Sequence, residues 1–159
     1  MNTTTTTEKA QKTILVIEDE RSLLDAIKTT IEKHALNVIT ARSVEQAFDT
    51  NIEKNTTGAV SMNAILDTIK YLEILKDVDA IWLDHNLIGD EDGLAFVKKF
   101  KANGGRLALV PIFVVSNTSN PETVKAYNEL GIQKYYVKAE HKLESIISDI
   151  KSFLDTAST

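Results

Sequence analysis

Five short apolar runs alternate with longer segments of helical periodicity, and this alternation limits the possible folds more than any other feature of the chain. The runs lie at residues 13–17, 37–40, 79–84, 110–116 and 134–138. Mostly apolar runs of this length are typical of strands that are buried on both faces, as in parallel sheets covered by helices. We therefore predict an α/β protein with a doubly wound, five-stranded parallel sheet.

Helices are predicted between and after these strands. Asn120 as N-cap, Pro121 at the first helical position and Gly131 beyond the last turn delimit one of them. Another is predicted over residues 43–54. Apolar residues at helical spacing define the buried faces of three more, which are Leu23, Leu24, Ile27 and Ile31; Leu94, Val97 and Phe100; and Leu143, Ile146, Ile147, Ile150 and Leu154.

The segment between the second and third strands is longer than one crossover helix requires. We predict an inserted helix near residues 61–76, which we interpret as a packing helix rather than a partner-specific surface. The threonine-rich residues 1–11 are predicted to be a disordered tail, residues 12–155 a single domain, and residues 156–159 a C-terminal tail. The apolar face of the inserted helix would consist of Met62, Ile65, Leu66, Ile69 and Leu72.

Charge and composition exclude several classes of function. The net charge of −5 disfavours direct binding to nucleic acid or to an anionic membrane. The absence of cysteine excludes disulfides, cysteine zinc sites and thiol catalysis, and it fits a reducing compartment. The first ten residues lack the apolar core of a signal peptide, so we expect a cytoplasmic protein.

Polar residues follow four of the predicted strands. They are Glu18 and Asp19 after the first, Asp84 after the third, Ser116 after the fourth and Lys138 after the fifth. Each has an ordinary explanation alone, such as a turn, a helix N-terminus or a surface salt bridge. Together they would meet at one edge of the sheet, where three carboxylates favour Mg²⁺ and one ammonium completes the charge balance. This set suits transfer of a phosphoryl group to Asp84.

The segments that carry these residues resemble the receiver domains of two-component response regulators. They are ILVIEDE, IWLDHNL with a following DG at residues 92–93, IFVVSN and YYVKA, in that order. The resemblance extends from about Thr13 to Leu154. It implies a flavodoxin-like sheet of order 2-1-3-4-5, and phosphorylation of Asp84 by a sensor histidine kinase or a histidine phosphotransfer protein.

The same resemblance implies a role for each site residue. Tyr135 has an alternative interpretation, as a half-buried strand tyrosine with its hydroxyl in water. His85 is interpreted as a solvated side chain and receives no role. The implied roles are Asp84 as phosphoacceptor; Glu18, Asp19, Asp84 and the backbone carbonyl of Asn86 as Mg²⁺ ligands; Lys138 as the phosphoryl contact; Ser116 and Tyr135 as switch residues; and Asn86 and Thr118 as residues that tune autodephosphorylation.

A single-domain regulator is expected, because the chain ends shortly after the last helix. Its only catalysis would be self-phosphorylation from a phosphodonor and autodephosphorylation. Phosphorylation would switch a surface formed by residues 120–154 that binds a downstream protein, and the chain would be a monomer or a weak phosphorylation-dependent dimer.

Three departures from the family pattern bear on the site. Ala139 stands where proline usually follows the lysine, which predicts either a trans bond with a remodelled loop or a cis bond held by its surroundings. Asn117 stands where a smaller residue is common and is expected to narrow access to Asp84. Ile88 replaces a usual proline, in a loop that is one residue longer.

Two rival functions remain open. One is a receiver-like binding module that is never phosphorylated. The other is a phosphatase resembling the haloacid dehalogenase superfamily, which also uses an aspartate nucleophile with Mg²⁺. That family has a second aspartate two positions after the nucleophile, where this chain has Asn86, which cannot exchange protons.

Overall fold

The computed structural model describes residues 11–42 and 75–157. The five strands lie where they are predicted, each within two residues, and the short helix α3 is an element that the sequence analysis does not predict. The strands are β1 (Thr13–Ile17), β2 (Asn37–Ala41), β3 (Ala80–Leu83), β4 (Ile112–Ser116) and β5 (Lys134–Val137). The helices are α1 (Arg21–Lys33), α2 (Gly93–Ala102), α3 (Gly105–Ala108), α4 (Pro121–Glu129) and α5 (Leu143–Thr156), with a 3₁₀ turn at Lys138–Glu140.

All five strands are parallel, in the order β2-β1-β3-β4-β5. The predicted fold class and strand order are confirmed. Ile14 of β1 lies opposite Val38 on one side and Ala80 on the other. From β1 the chain continues to β2 on one side of the sheet and then to β3 on the other side, so the strand order changes direction between β1 and β3. The crevice that this change creates lies beyond Ile17 and Leu83, at the carboxyl edge of the sheet.

The two faces of the sheet form two separate apolar cores. Successive residues of β3 alternate between them: Ile81 and Leu83 pack on the side of α2, α3 and α4, and Trp82 packs on the side of α1 and α5. The predicted faces of α1 and α5 are buried at Leu24, Ile27, Ile31, Ile146, Ile147, Ile150 and Leu154. Burial on both faces of β1, β3 and β4 explains why these three strands are apolar runs rather than alternating ones.

The buried face of α2 differs from its prediction. Val97 and Phe100 are buried as expected, but Phe96 takes the third buried position and Leu94 is only half-buried. The helix begins after Asp92, whose side chain accepts a hydrogen bond from the Ala95 N–H at 2.9 Å. This cap fixes the start of the helix, and from that start Phe96, Val97 and Phe100 are the buried apolar positions.

Helix α4 has the predicted ends. The Asn120 side chain accepts a hydrogen bond from the Glu122 N–H at 2.8 Å, and Pro121 is the first helical residue. Gly131 has φ of 75°, the left-handed conformation that closes a helix at little cost for glycine.

Several predictions lie outside the described residues: the helix over residues 43–54, nearly all of the inserted helix over 61–76, and the tail over 1–11 except its last residue. At the other end, α5 continues to Thr156 and so extends one residue into the predicted C-terminal tail. No helix in the part of the chain that the structure describes is long and apolar enough to cross a membrane.

Candidate functional site

The carboxyl edge of the sheet brings the predicted acidic residues together. The Asp84 N–H donates to the Ile17 carbonyl at 2.9 Å, and the Glu18 N–H donates to the Ala41 carbonyl at 3.0 Å. These bonds continue the strand pairing one residue beyond β1 and β3. One carboxylate oxygen from each of Glu18, Asp19 and Asp84 lies within 4.8 Å of the others.

Lys138 reaches this cluster from the end of β5. Its Nζ lies 2.9 Å from Glu18 Oε2 and 2.9 Å from Asp84 Oδ2. Glu18 is fully buried and Asp84 is 5% exposed, so these charges are largely shielded from water. The described residues contain no cis peptide bond, and the chain continues from Lys138 into the 3₁₀ turn. Of the two conformations predicted at Ala139, the structure has the trans one.

Burial and neighbouring charge set the protonation of the cluster. Burial raises the pKa of Glu18 to about 7, the hydrogen bond from Lys138 opposes this increase, and the Asp84 carboxylate adds to it. Burial alone would lower the pKa of Lys138, but its hydrogen bonds to Glu18 and Asp84 outweigh burial and raise it. Lys138 therefore stays protonated. It is one ammonium among three carboxyl groups, and Glu18 is the one whose ionisation burial opposes. A buried oxygen-donor set with excess negative charge fits a hard divalent cation such as Mg²⁺.

Backbone contacts hold the two aspartates of the cluster. The Asn86 N–H donates to Asp84 Oδ1 at 3.3 Å. The Arg42 guanidinium donates to the Asp19 carbonyl through Nη2 at 3.0 Å and Nε at 3.2 Å. Asn86 thus contacts the Asp84 carboxylate through its backbone N–H, and Arg42 is a contact to Asp19 that the sequence analysis does not include.

Ser116 and Thr118 lie at the end of β4, on the same edge. Ser116 is fully buried, and its Oγ accepts a hydrogen bond from the Thr118 N–H at 3.2 Å. The Tyr135 hydroxyl donates to the Thr118 carbonyl at 2.7 Å. Tyr135 is half-buried, as predicted, but the alternative that places its hydroxyl in water is wrong, because the loop after β4 supplies an acceptor.

His85 is half-buried, and its imidazole has a partner within the protein that its interpretation as a solvated side chain does not include. Its Nδ1 lies 2.9 Å from the Tyr127 hydroxyl, and the two rings meet edge to face with centroids 5.7 Å apart. Tyr127 is fully buried in α4 and is absent from the predicted residues. Its spacing of three from Val124 and from Leu130 is a sequence signal that places it on the inner side of that helix.

Gly93 explains the DG pair that follows Asp84 in the sequence. Its N–H donates to the His85 carbonyl at 3.0 Å. A Cβ at this position would lie 2.3 Å from the Tyr127 hydroxyl and 2.8 Å from the Asp84 carbonyl oxygen. Only glycine therefore fits between α4 and the turn after β3.

Comparison with known proteins identifies the fold. No protein-family model and no curated protein matches the chain. The phosphorylated cyanobacterial phytochrome response regulator RcpA matches with TM-score 0.68 and 21% identity, over 94% of this chain and 98% of that chain. A CheY-like response regulator receiver domain protein from Methanospirillum hungatei JF-1 matches with TM-score 0.67 and 18% identity, over 92% and 96%. The Mn²⁺-bound form of response regulator Rcp1 matches with TM-score 0.66 and 22% identity, over 89% and 93%.

The similar structures are consistently CheY-like receiver domains, and they cover most of the chain. The chain has their flavodoxin-like fold, as the sequence resemblance implies.

Proposed function

We propose that this protein is a receiver-type switch in which Asp84 is phosphorylated by a sensor histidine kinase or a histidine phosphotransfer protein. One observation carries the proposal: on a receiver fold, a single ammonium lies 2.9 Å from the carboxylates of both Glu18 and Asp84, beside Asp19. Lys138 would contact the phosphoryl oxygens after transfer. The proposal also assigns the protein to the cytoplasm, without direct contacts to nucleic acid or membrane.

Glu18, Asp19, Asp84 and the backbone carbonyl of Asn86 would hold Mg²⁺. A bound divalent cation offsets the charge of the carboxylates and of the phosphoryl oxygens. The spacing of the three carboxylates and their excess of negative charge support this assignment. The Mn²⁺ in the Rcp1 structure shows that a protein of the same fold binds a divalent cation.

Transfer would require little covalent chemistry from the protein. An Asp84 carboxylate oxygen attacks the phosphorus of the donor phosphohistidine, a P–O bond forms, and the P–N bond breaks with its electron pair returning to the imidazole. During dephosphorylation, water attacks the phosphorus and the bond between phosphorus and the Asp84 oxygen breaks. Inorganic phosphate leaves, and the carboxylate is restored. Asn86, which contacts Asp84, and Thr118, in the loop after β4, would tune the access of this water.

The signal would leave the site through the loop after β4. A phosphoryl group adds charge and acceptor oxygens at Asp84, to which the Ser116 hydroxyl can donate. Movement of Ser116 would shift Thr118, and with it the carbonyl that Tyr135 contacts. The affected surface, residues 120–154, would bind a downstream protein or mediate weak dimerisation.

The experiment that tests the proposal is intact-protein mass spectrometry after incubation with acetyl phosphate and Mg²⁺. We expect the wild-type chain to gain one phosphoryl group, which chelation of Mg²⁺ prevents and hydroxylamine removes. Asp84→Asn should gain none. Asp79→Asn is the matched control, because it removes a carboxylate at the opposite edge of the sheet, and it should be phosphorylated like wild type.

Two results would favour the rival functions. A folded wild-type protein that gains no mass, while a known receiver does so in parallel, would indicate a constitutive binding module. Repeated turnover of a chromogenic phosphate ester would indicate a phosphatase.

A further inference from the structure

A hydrogen bond links helix α4 to the turn that follows the acceptor. The Tyr127 hydroxyl and His85 Nδ1 lie 2.9 Å apart. Within residues 11–42 and 75–157, this is the only hydrogen bond of that hydroxyl. Tyr127 is fully buried, and burial raises its pKa far above the usual value for a tyrosine, so it stays a neutral phenol. The arrangement that leaves no buried donor unpaired has the hydroxyl donating to Nδ1.

We propose that Tyr127 is a positioning residue for the phosphorylation of Asp84, which it influences through His85. This inference rests on the proposed function and adds a residue outside the set that the resemblance implies.

The argument starts from the place of His85 in the chain. It separates Asp84 from Asn86, whose N–H donates to Asp84 Oδ1 at 3.3 Å. Its carbonyl accepts a hydrogen bond from the Gly93 N–H at 3.0 Å. With Tyr127 bonded to the imidazole, both the backbone and the side chain of His85 are held. A fixed His85 limits the conformations open to the acceptor and to the Asn86 carbonyl, and so lowers the entropy cost of assembling the site.

Tyr127 also packs against Tyr135 of β5, which links it to the loop after β4. Its ring lies 5.6 Å from the ring of Tyr135, centroid to centroid. The Tyr135 hydroxyl in turn bonds to the Thr118 carbonyl in the loop after β4. One side chain of α4 therefore joins the turn on one side of Asp84 to the loop on the other.

A purely structural role would give a different outcome on substitution. Phenylalanine fills nearly the same volume and keeps both ring contacts, so Tyr127→Phe removes only the hydrogen bond. Tyr136→Phe is the matched control. Tyr136 is equally buried on the other face of the sheet, where its hydroxyl donates to Asp149 at 3.0 Å, away from the acceptor.

The test measures the rate of acetyl phosphate-dependent phosphorylation and, separately, the affinity for Mg²⁺ from the fluorescence of Trp82, the only tryptophan in the chain. Tyr127→Phe should lower the rate about three- to tenfold and weaken Mg²⁺ binding by a similar factor, the range expected for one buried hydrogen bond. Tyr136→Phe should leave both within twofold of wild type.

A double-mutant cycle with His85→Phe decides whether Tyr127 acts through His85. The two single changes and the double change should then have nearly the same effect, because each removes the same bond. If Tyr127→Phe changes neither the phosphorylation rate nor the Mg²⁺ affinity, the inference is overturned and the proposed function stands. The same holds if the effects of the two single changes add up in the double variant. If the wild type gains no phosphoryl group, the proposed function fails, and with it a role of Tyr127 in phosphorylation; the Mg²⁺ cycle then decides only whether Tyr127 positions the cation site through His85. If the wild type also fails to bind Mg²⁺, both the inference about Tyr127 and the proposed function are overturned.

Discussion

The two edges of the sheet each carry a cluster of charged side chains, and the two clusters differ in charge balance. At the amino edge, one carboxylate lies between two cations: Asp79 Oδ1 is 3.6 Å from Lys12 Nζ and 3.9 Å from Arg106 Nη2. Asp79 Oδ2 also accepts a hydrogen bond from the Thr13 N–H at 2.8 Å. The two cations outnumber the carboxylate and are partly open to water, so the role of this cluster is to tie the start of β1 to the start of β3.

The carboxyl edge has the opposite balance. Three carboxylates share one ammonium, and two of them, Glu18 and Asp84, are almost completely buried. Burial without full charge compensation costs free energy that a structural ion pair avoids. The comparison teaches that the balance within a cluster, rather than the number of charged residues in it, separates a candidate cation site from a structural contact.

The largest effect that would test this comparison is the change in stability with pH that the ionisation of Glu18 causes in the absence of Mg²⁺. The pKa of Glu18 is about 7 in the folded protein, against an ordinary value of 4.5. Between those values the folded state binds more protons than the unfolded state, so stability should fall as pH rises from about 4.5 to about 7. The loss is on the order of 3 kcal/mol.

Urea denaturation in a chelating buffer across this pH range measures the effect. Glu18→Gln cannot ionise, so the difference in stability between the variant and the wild type should grow in favour of the variant as pH rises. Asp79→Asn should retain the slope of the wild type. Parallel curves for Glu18→Gln and wild type would contradict the assignment of excess charge to the carboxyl edge.

A smaller effect is expected from Gly93→Ala. The added methyl group would lie 2.3 Å from the Tyr127 hydroxyl and 2.8 Å from the Asp84 carbonyl, so α4 or the turn after β3 must move. Crowding of this kind costs about 1–3 kcal/mol of stability, and it should also weaken Mg²⁺ binding. Thermal denaturation and a Mg²⁺ titration measure the two losses. Because Tyr127→Phe removes the closest atom, Gly93→Ala should cost less in that background, and an unchanged cost would show that the hydroxyl is not the obstacle.

The framework of the carboxyl edge could be predicted from sequence, because it depends on regular strand geometry. Each strand end is an apolar run followed by a polar residue, and parallel strands place such ends at one edge. The structure brings Glu18, Asp19, Asp84 and Lys138 together as expected. Helix α4 was equally predictable, since Asn120 and Gly131 act on their own neighbours.

The hydrogen bonds that the sequence analysis does not predict join elements that are far apart in the sequence. Hydrophobic periodicity describes one element at a time and does not indicate which elements come close together. His85 and Tyr127 are 42 positions apart, and their hydrogen bond exists because Gly93 lets α4 come close to the turn after β3. The hydrogen bond from the Tyr135 hydroxyl to the Thr118 carbonyl likewise joins β5 to the loop after β4, across 17 positions of sequence. The local sequence pattern shows that these residues are polar or aromatic, but it does not indicate their hydrogen-bond partners.

The smallest effect is expected at the amino edge, from Asp79→Asn. Asparagine can still accept the hydrogen bond from the Thr13 N–H, so only the charge is lost, and Lys12 and Arg106 are exposed enough to be solvated in its absence. The loss of stability should be about 0.5–1 kcal/mol and should shrink in high salt. Asp79→Ala also deletes the acceptor, and it should cost about 1 kcal/mol more. Both variants should bind Mg²⁺ within twofold of wild type, as measured by Trp82 fluorescence. A larger change in affinity would mean that charge at one edge of the sheet influences the other, and the division between a structural cluster and a cation site would have to be given up.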